Sequence, residues 1–547
     1  MTKKTKVSEL TFSHHDDIGA AGAEDDSIFL RECFVDNGDI EIILDCNNPK
    51  RLLIGRTGTG KSALINEVNN RSNNVIQLSP HSLSLNYIAN NNIITFFESL
   101  GVNLSAFYGL LWKHIFVVEL LKKKFNIKDE NSQKNYTRYI KDILYKKNST
   151  KEQAVDYLEK WGNKFWLTTE ERMKELTSRI ESSLSATLST KLLGLANAST
   201  KGDLKLTSEE KKEIIEHGQR AVSAVQVREL ENIITVLSDD IFVDSQQKFY
   251  ITIDMLDEAW VDDRIKYKLI KSLIDTLRRF RKVNNVKVIA ALRYDLLDRV
   301  IHSVRDSGFQ EEKYESLYLY LKWNKSSLEE LIEKRINYLF KRKYMNSSVH
   351  LNEVFPDNIG QEKTIDYMID RTFLRPRDII LFFNECISSA NGEHKLSSTI
   401  IKNAEEQYSY KRLQSLATEW FDSYPNLLCI AKMFDGMKSC FKVSDITNEF
   451  LEEKYTENID NIKDVTIDLV TAQIDKLYTG TGNFNSVRNS IVRELYLIGL
   501  FGVKTGAAST VNWSYSSRMS LSSGEVKPSS IINIHPMFHR ALNIRVV

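Results

Sequence analysis

Apolar and polar positions change period several times along this chain, and the changes divide it. "KRLLIG" (50–55) is a short apolar run entering a glycine-rich turn, and "SALINEVNN" (62–70) has helical spacing. The order read there is strand, loop, helix. "NVIQLS" (74–79) reads as a second strand, ended by Pro80. From "NNIITFFESLGVNL" (91–104) to "NIITVLSDDIF" (232–242) the chain is charged and mostly helix-periodic. The Gly/Asn/Ser/Thr-rich "GLANASTKGD" (194–203) interrupts it as an exposed loop. Continuous apolar runs then return: "KFYITID" (248–254) and "VKVIAALR" (286–293) read as buried parallel strands. The helical "RIKYKLIKSLIDTLRRFRK" lies between them, and "SLYLYLKW" (316–323) is a candidate further strand. Strands alternating with helices predict an α/β sheet. After about residue 324 the pattern is helical, through "SSLEELIEKRINYLFKR" and "RDIILFFNECISS". The last stretch mixes short helices with strand-like pieces such as "IINIHP", which predicts a small α+β module. The chain shows no internal repeat.

The first turn carries chemistry. Gly55-Arg56-Thr57-Gly58-Thr59-Gly60-Lys61-Ser62 matches GxxxxGK[ST] in full, with strand before and helix after. Glycines let backbone N–H groups converge on phosphate oxygens, and the following helix adds its positive end. Lys61 would reach the β- and γ-phosphates of a nucleotide, and the Ser62 hydroxyl would ligate Mg2+. The residues assigned to nucleotide contact are Gly55, Arg56, Thr57, Gly58, Thr59, Gly60, Lys61, Ser62 and Ala63. Hydrolysis also needs a carboxylate for the metal and a polar group to orient water. "FYITIDMLDEAW" (249–260) supplies Asp254 at a strand end for the metal, with Asp257 and Glu258 following as candidate bases. The weaker alternative is that both acids simply open a helix, whose N-terminus favours negative charge; of the two, Asp257 is slightly preferred as the base, with Glu258 second. Arg293 ends the next strand, where it would sense a γ-phosphate or pair with Asp295 or Asp298. Arg375 and Arg377 flank Pro376 at a helix start. They would fold over a nucleotide or serve as surface charges near a helix end.

Other patterns weigh less. Thr200-Lys201-Gly202-Asp203 matches a guanine-recognition element, but it precedes the metal strand and no buried strand leads into it, so adenine is the expected base. His535 and His539 have i, i+4 spacing without a third ligand nearby, so they are expected to be structural. "LLWKHIFVVELLKKKF" (110–125) reads as a packed helix with lysines at its negative end, and "RRFRK" (278–282) as a solvated face. The tract 150–230 lacks sustained heptads and is read as an insertion, not a coiled coil.

With these residues together, the chain resembles the AAA+-related P-loop ATPases of the STAND and KAP type. In particular it resembles stand-alone bacterial ATPases of defence-associated loci that carry a segment like "AAGAEDDSIFLRECFVD" (20–36) before the P-loop. The resemblance implies a P-loop NTPase core with a parallel sheet at 46–323, interrupted by a long helical insertion at about 90–242. It implies an N-terminal segment (1–45) packing on that core, a helical lid (324–420) and a winged-helix-like C-terminal module (421–547). It further implies ATP and Mg2+, an assembly or conformational switch driven by hydrolysis, a partner or effector protein, and a place in antiviral defence or a DNA-related process. A homo-oligomer is left open. In typical members a catalytic glutamate follows the metal aspartate directly; here Met255 stands in that position.

Bulk properties change this picture little. The 547 residues exceed one hydrophobic core, and 42% hydrophobic with 27% charged residues is ordinary for a globular protein. A formal net charge of +1 gives no general attraction to nucleic acid. Five scattered cysteines, none in a CxxC pair, point to reduced thiols. Without an apolar stretch behind the N-terminal lysines or a run long enough to span a bilayer, a cytoplasmic protein without membrane contact is expected.

Overall fold

A computed structural model describes residues 11–83, 92–127, 234–303, 312–342, 349–458, 469–506, 509–516, 520–522 and 524–547, with isolated positions in 174–220 and at 462. The 194–203 loop, its Thr200–Asp203 motif and nearly all of the 150–230 tract lie outside the described residues. The chain divides into two compact units. One holds Gly38–Arg56 and Lys61–Leu321; the other holds Met1–Asn37, Thr57–Gly60 and Lys322–Val547. The N-terminal stretch 1–45 is thus split at Asn37, its earlier part grouping with the later half of the chain.

The first unit is built on five strands: β1 (Leu52–Gly55), β2 (Val75–Leu78), β3 (Phe249–Ile253), β4 (Val286–Arg293) and β5 (Tyr318–Tyr320). Their order is β2-β3-β4-β1-β5 and every pairing is parallel. β3 is buried throughout and β4 is buried up to Arg293, as expected of strands covered on both faces. Register sets the C-terminal edge: Gly55 is level with Arg293, and Leu78 with Ile253. The strand that ends in Arg293 therefore lies between the glycine-loop strand and the aspartate strand, as the sequence placed it.

Helices α1 (Asp39–Leu44), α2 (Lys61–Arg71), α3 (Ser105–Phe125), α4 (Asp263–Phe280) and α5 (Tyr294–Ser303) complete this unit. α3 packs on α4 and buries most of its apolar residues; the Trp112 indole N–H donates to the Leu269 carbonyl at 3.0 Å. Lys122, Lys123 and Lys124 occupy its last turn, where cations meet unpaired carbonyls, and Asn126 caps it in a left-handed conformation. α4 is sharply amphipathic, and Arg278, Arg279, Arg281 and Lys282 at its end are exposed, as expected of a solvated face.

The second unit has its own core. Helices α6 (Lys325–Arg342), α7 (Pro376–Ser388) and α8 (Ser398–Glu419) dominate it. A three-stranded antiparallel sheet follows: β6 (Cys440–Lys442), β7 (Phe501–Lys504) and β8 (Ile531–Ile534), in the order β6-β8-β7. It packs with α9 (Asn448–Asn458), α10 (Leu469–Tyr478) and α11 (Phe484–Ile498), giving the expected mixture of short helices and strands. The segment around Ser27–Glu32 is tied to α6 by a buried ion pair between Asp26 and Arg335, whose guanidinium also donates to the Ile18 carbonyl at 2.7 Å. Among the described residues, no helix is long and apolar enough to cross a membrane.

Candidate functional site

The C-terminal edge of the parallel sheet gathers most of the residues singled out by motif. β1 ends at Gly55, α2 begins at Lys61, and Gly58 and Gly60 in the loop between them adopt φ of 80° and 94°. Those angles are where an L side chain is strained, which accounts for glycine at both positions. The Lys61 ammonium turns back into the loop and donates to the Gly55 and Arg56 carbonyls, each at 3.1 Å. Burial lowers its pKa, while the negative charges of Asp257 and Asp254 act in the opposite direction.

Asp254 follows β3 immediately, and its backbone N–H donates to the Leu78 carbonyl at 3.3 Å. Its carboxylate accepts the Met255 N–H at 2.9 Å, and the Ser62 side chain at the start of α2 is near enough to favour its charged form. Burial raises its pKa, only partly offset by those groups and by Lys61. Met255 itself sits at φ 62°, an uncommon conformation for a long side chain. The turn that follows separates the two candidate bases. Glu258 lies 3.0 Å from His81 Nε2, whereas Asp257 lies 4.0 Å from Arg293 and contributes to the field at Lys61. Arg293 makes two hydrogen bonds to Asp295, at 3.0 and 2.9 Å, so the Asp295 pairing weighed from sequence is present. The structure thus brings together Lys61, Ser62, Asp254, Asp257 and Arg293, and directs Glu258 toward His81.

Arg375 and Arg377 both meet the glycine-rich loop. Arg375 is 1% exposed and so is no surface charge. It pairs with Asp378 at 2.7 Å, and Arg412 approaches the same carboxylate at 3.1 Å. Burial disfavours its charge, but Asp378 and Glu419 outweigh that and raise its pKa. Its Nη1 donates to the Thr57 carbonyl at 2.7 Å. Arg377 is half-buried; its Nε donates to the Ala21 carbonyl at 3.2 Å, and its Cβ lies where a side chain on Gly58 would have to go. Trp323, at the end of the "SLYLYLKW" run and not singled out from the sequence, donates its indole N–H to the Thr59 carbonyl at 2.9 Å.

Neither imidazole of the His535/His539 pair is directed at the other. His535 is buried, with Nδ1 accepting from the Met537 N–H at 3.1 Å and Nε2 at 2.8 Å from the Tyr515 hydroxyl. Burial lowers its pKa to about 3. His539 Nε2 bonds the Ile534 carbonyl at 2.9 Å. Among the described residues no group of three or more His, Cys, Asp or Glu side chains is placed to hold a metal.

Comparison with known proteins adds two likenesses. Residues 326–417 match the model of the FunZ-associated C-terminal helical domain. That match spans α6 through most of α8. Over 549 residues the chain is 22% identical to the putative transposon gamma-delta 80.3 kDa protein of Escherichia coli (strain K12), covering 96% of this chain and 67% of that protein.

Proposed function

We propose that the chain is a Mg2+-dependent ATPase with a P-loop NTPase core, whose hydrolysis drives a conformational or assembly switch. The observation that carries this reading is the Asp254 carboxylate at the tip of a buried parallel strand, at the sheet edge where the GxxxxGK[ST] loop enters its helix with the Ser62 hydroxyl in the first turn. Those two oxygens suit a hard cation that keeps water and phosphate oxygens as its other ligands. When bound, Mg2+ would neutralise charge on the β- and γ-phosphate oxygens.

The chain's own groups divide the remaining work. Loop N–H groups and the start of α2 receive phosphate oxygens, and Lys61 exchanges its two carbonyl acceptors for them. Asp257 orients the attacking water and takes its proton, because Glu258 is turned to His81. Arg293, held in plane by Asp295, stands at the tip of the intervening strand to meet charge developing on the γ-phosphate.

ATP turnover by the purified chain tests this. Lys61→Ala should abolish it. Asp257→Asn should lower kcat by about 100-fold or more, and Glu258→Gln by less than about tenfold. Turnover unaffected in Lys61→Ala sinks the site; the reverse ranking of the two acids makes Glu258 the base. A DNA-related role is a second reading, favoured by the likeness to the putative transposon gamma-delta protein of Escherichia coli. Turnover raised by added DNA at low salt supports it.

A further inference from the structure

We propose that Arg375, Trp323 and the main chain of Arg377 form a scaffold that holds the glycine-rich loop by its carbonyl side, which makes Arg375 and Trp323 positioning residues for the loop's N–H groups. The proposal rests on reading the loop as a phosphate site. Three successive loop carbonyls each receive a donor: Thr57 from Arg375 Nη1 at 2.7 Å, Gly58 from the Arg377 N–H at 3.4 Å, and Thr59 from Trp323 Nε1 at 2.9 Å. All described peptide bonds are trans. In a trans peptide the carbonyl of one residue and the N–H of the next point in opposite directions across one rigid plane. Fixing the carbonyls of Thr57, Gly58 and Thr59 therefore fixes the N–H directions of Gly58, Thr59 and Gly60, and turns them away from the scaffold. Left-handed glycines at 58 and 60 let successive amides converge into a concavity for an anion.

Arg375 is built for this task. Its Nε is committed to Asp378, which Arg412 also approaches, and Nη1 lies 3.5 Å from Glu419 as well as at the Thr57 carbonyl. Swinging the guanidinium out to a phosphate would strand the fully buried Asp378 charge. Arg375 Nη2 has no protein partner, so a test must separate a clamp from a ligand. Without the scaffold, loop N–H groups would sample many directions, and anion binding would have to order them.

The test is hydrogen exchange on the full chain without nucleotide, followed by ATP titration. Trp323→Phe keeps the ring and removes one N–H. Arg375→Lys keeps the charge, but a single ammonium cannot reproduce the fork that reaches both Asp378 and Thr57. Each should speed exchange at Gly58–Gly60 by about tenfold, with peptides of α4 unchanged. Each should also weaken ATP binding more than it lowers turnover at saturating ATP. Unchanged loop exchange in Trp323→Phe overturns the scaffold, and that variant decides the matter if Arg375→Lys fails to fold. If the wild-type chain binds no ATP, the nucleotide reading fails, while the exchange result still judges the scaffold.

Discussion

Two lysines, Lys61 half-buried and Lys287 fully buried, stand at opposite ends of the parallel sheet, and they make nearly the same local contacts. Lys61 donates to the Gly55 and Arg56 carbonyls at its C-terminal edge. Lys287, near the start of β4, donates to the Ile42 and Asp45 carbonyls at 2.7 and 2.8 Å. Burial lowers the pKa of both, to about 7 for Lys287. Their surroundings differ. Lys61 follows a glycine loop with Asp257 and Asp254 in range, so carboxylates and two carbonyl acceptors share its charge. Lys287 faces Arg51, which disfavours its charge further, with Cys46 and Asp45 opposing. Its two acceptors lie in the last turn and C-cap of α1, the Asp45 carbonyl also accepting the Asn48 N–H at 3.1 Å, so it closes a helix and is spoken for. A buried lysine is therefore not informative in itself; what it could exchange its carbonyls for is.

The largest expected effect tests that distinction directly. Lys61→Met should cut ATP turnover by about 100-fold or more, the usual loss when one preorganised charge is removed. Lys287→Met should leave turnover within about twofold. Equal losses of activity in two folded variants would break the comparison, since Lys287 would then be acting on the site.

The next effect is a pH dependence of stability, isolated for Lys287 by comparison with its own variant. Its pKa is about 7 when folded and near the ordinary 10.5 when unfolded. Below pH 7 both states carry the proton and this group gives no slope. Between those values the unfolded chain holds a proton that the folded chain lacks, so stability rises with pH. Relative to Lys287→Met, the wild-type chain should gain about 1.4 kcal/mol per pH unit from pH 7 to 9. Denaturant titrations of both at each pH measure it. A constant gap would mean that Lys287 keeps its proton in the fold.

Much of this was legible in the sequence, for definite reasons. Continuous apolar runs such as "FYITI" and "VKVIAALR" admit few alternatives to buried strands, and a glycine loop between a strand and a helix marks its own place in the fold. Asp254 and Arg293 were placed because strand tips follow from strand ends. Glu258 and Arg375 were not separable, because the partner of each is remote in sequence: His81 for one, the Thr57 carbonyl for the other. Trp323 left no signal, since a main-chain acceptor has no residue type to recognise. The grouping of residues up to Asn37 with the later half of the chain goes with long-range bonds such as Asp26–Arg335, Phe12–Glu393 and Ile18–Asn384, which no periodicity encodes.

The smallest effect sharpens the comparison through backbone strain. Each end of the sheet has a non-glycine residue with positive φ beside a strand: Asn285 (56°) before β4, Met255 (62°) after β3. Asparagine tolerates that region, and Asn285 also donates its side-chain amide to the Phe242 carbonyl at 2.8 Å. Methionine has no such compensation, yet its N–H holds the Asp254 carboxylate in the orientation that meets Ser62. Strain is thus retained at the end proposed to do chemistry and relieved at the end that only holds the fold together. Met255→Asn should keep the N–H and stabilise the chain by about 1 kcal/mol in denaturant titration, whereas Met255→Leu should not. Asn no more stable than Leu would show that the Met255 side chain repays the strain by packing, and the contrast between the two ends would then rest on charge alone.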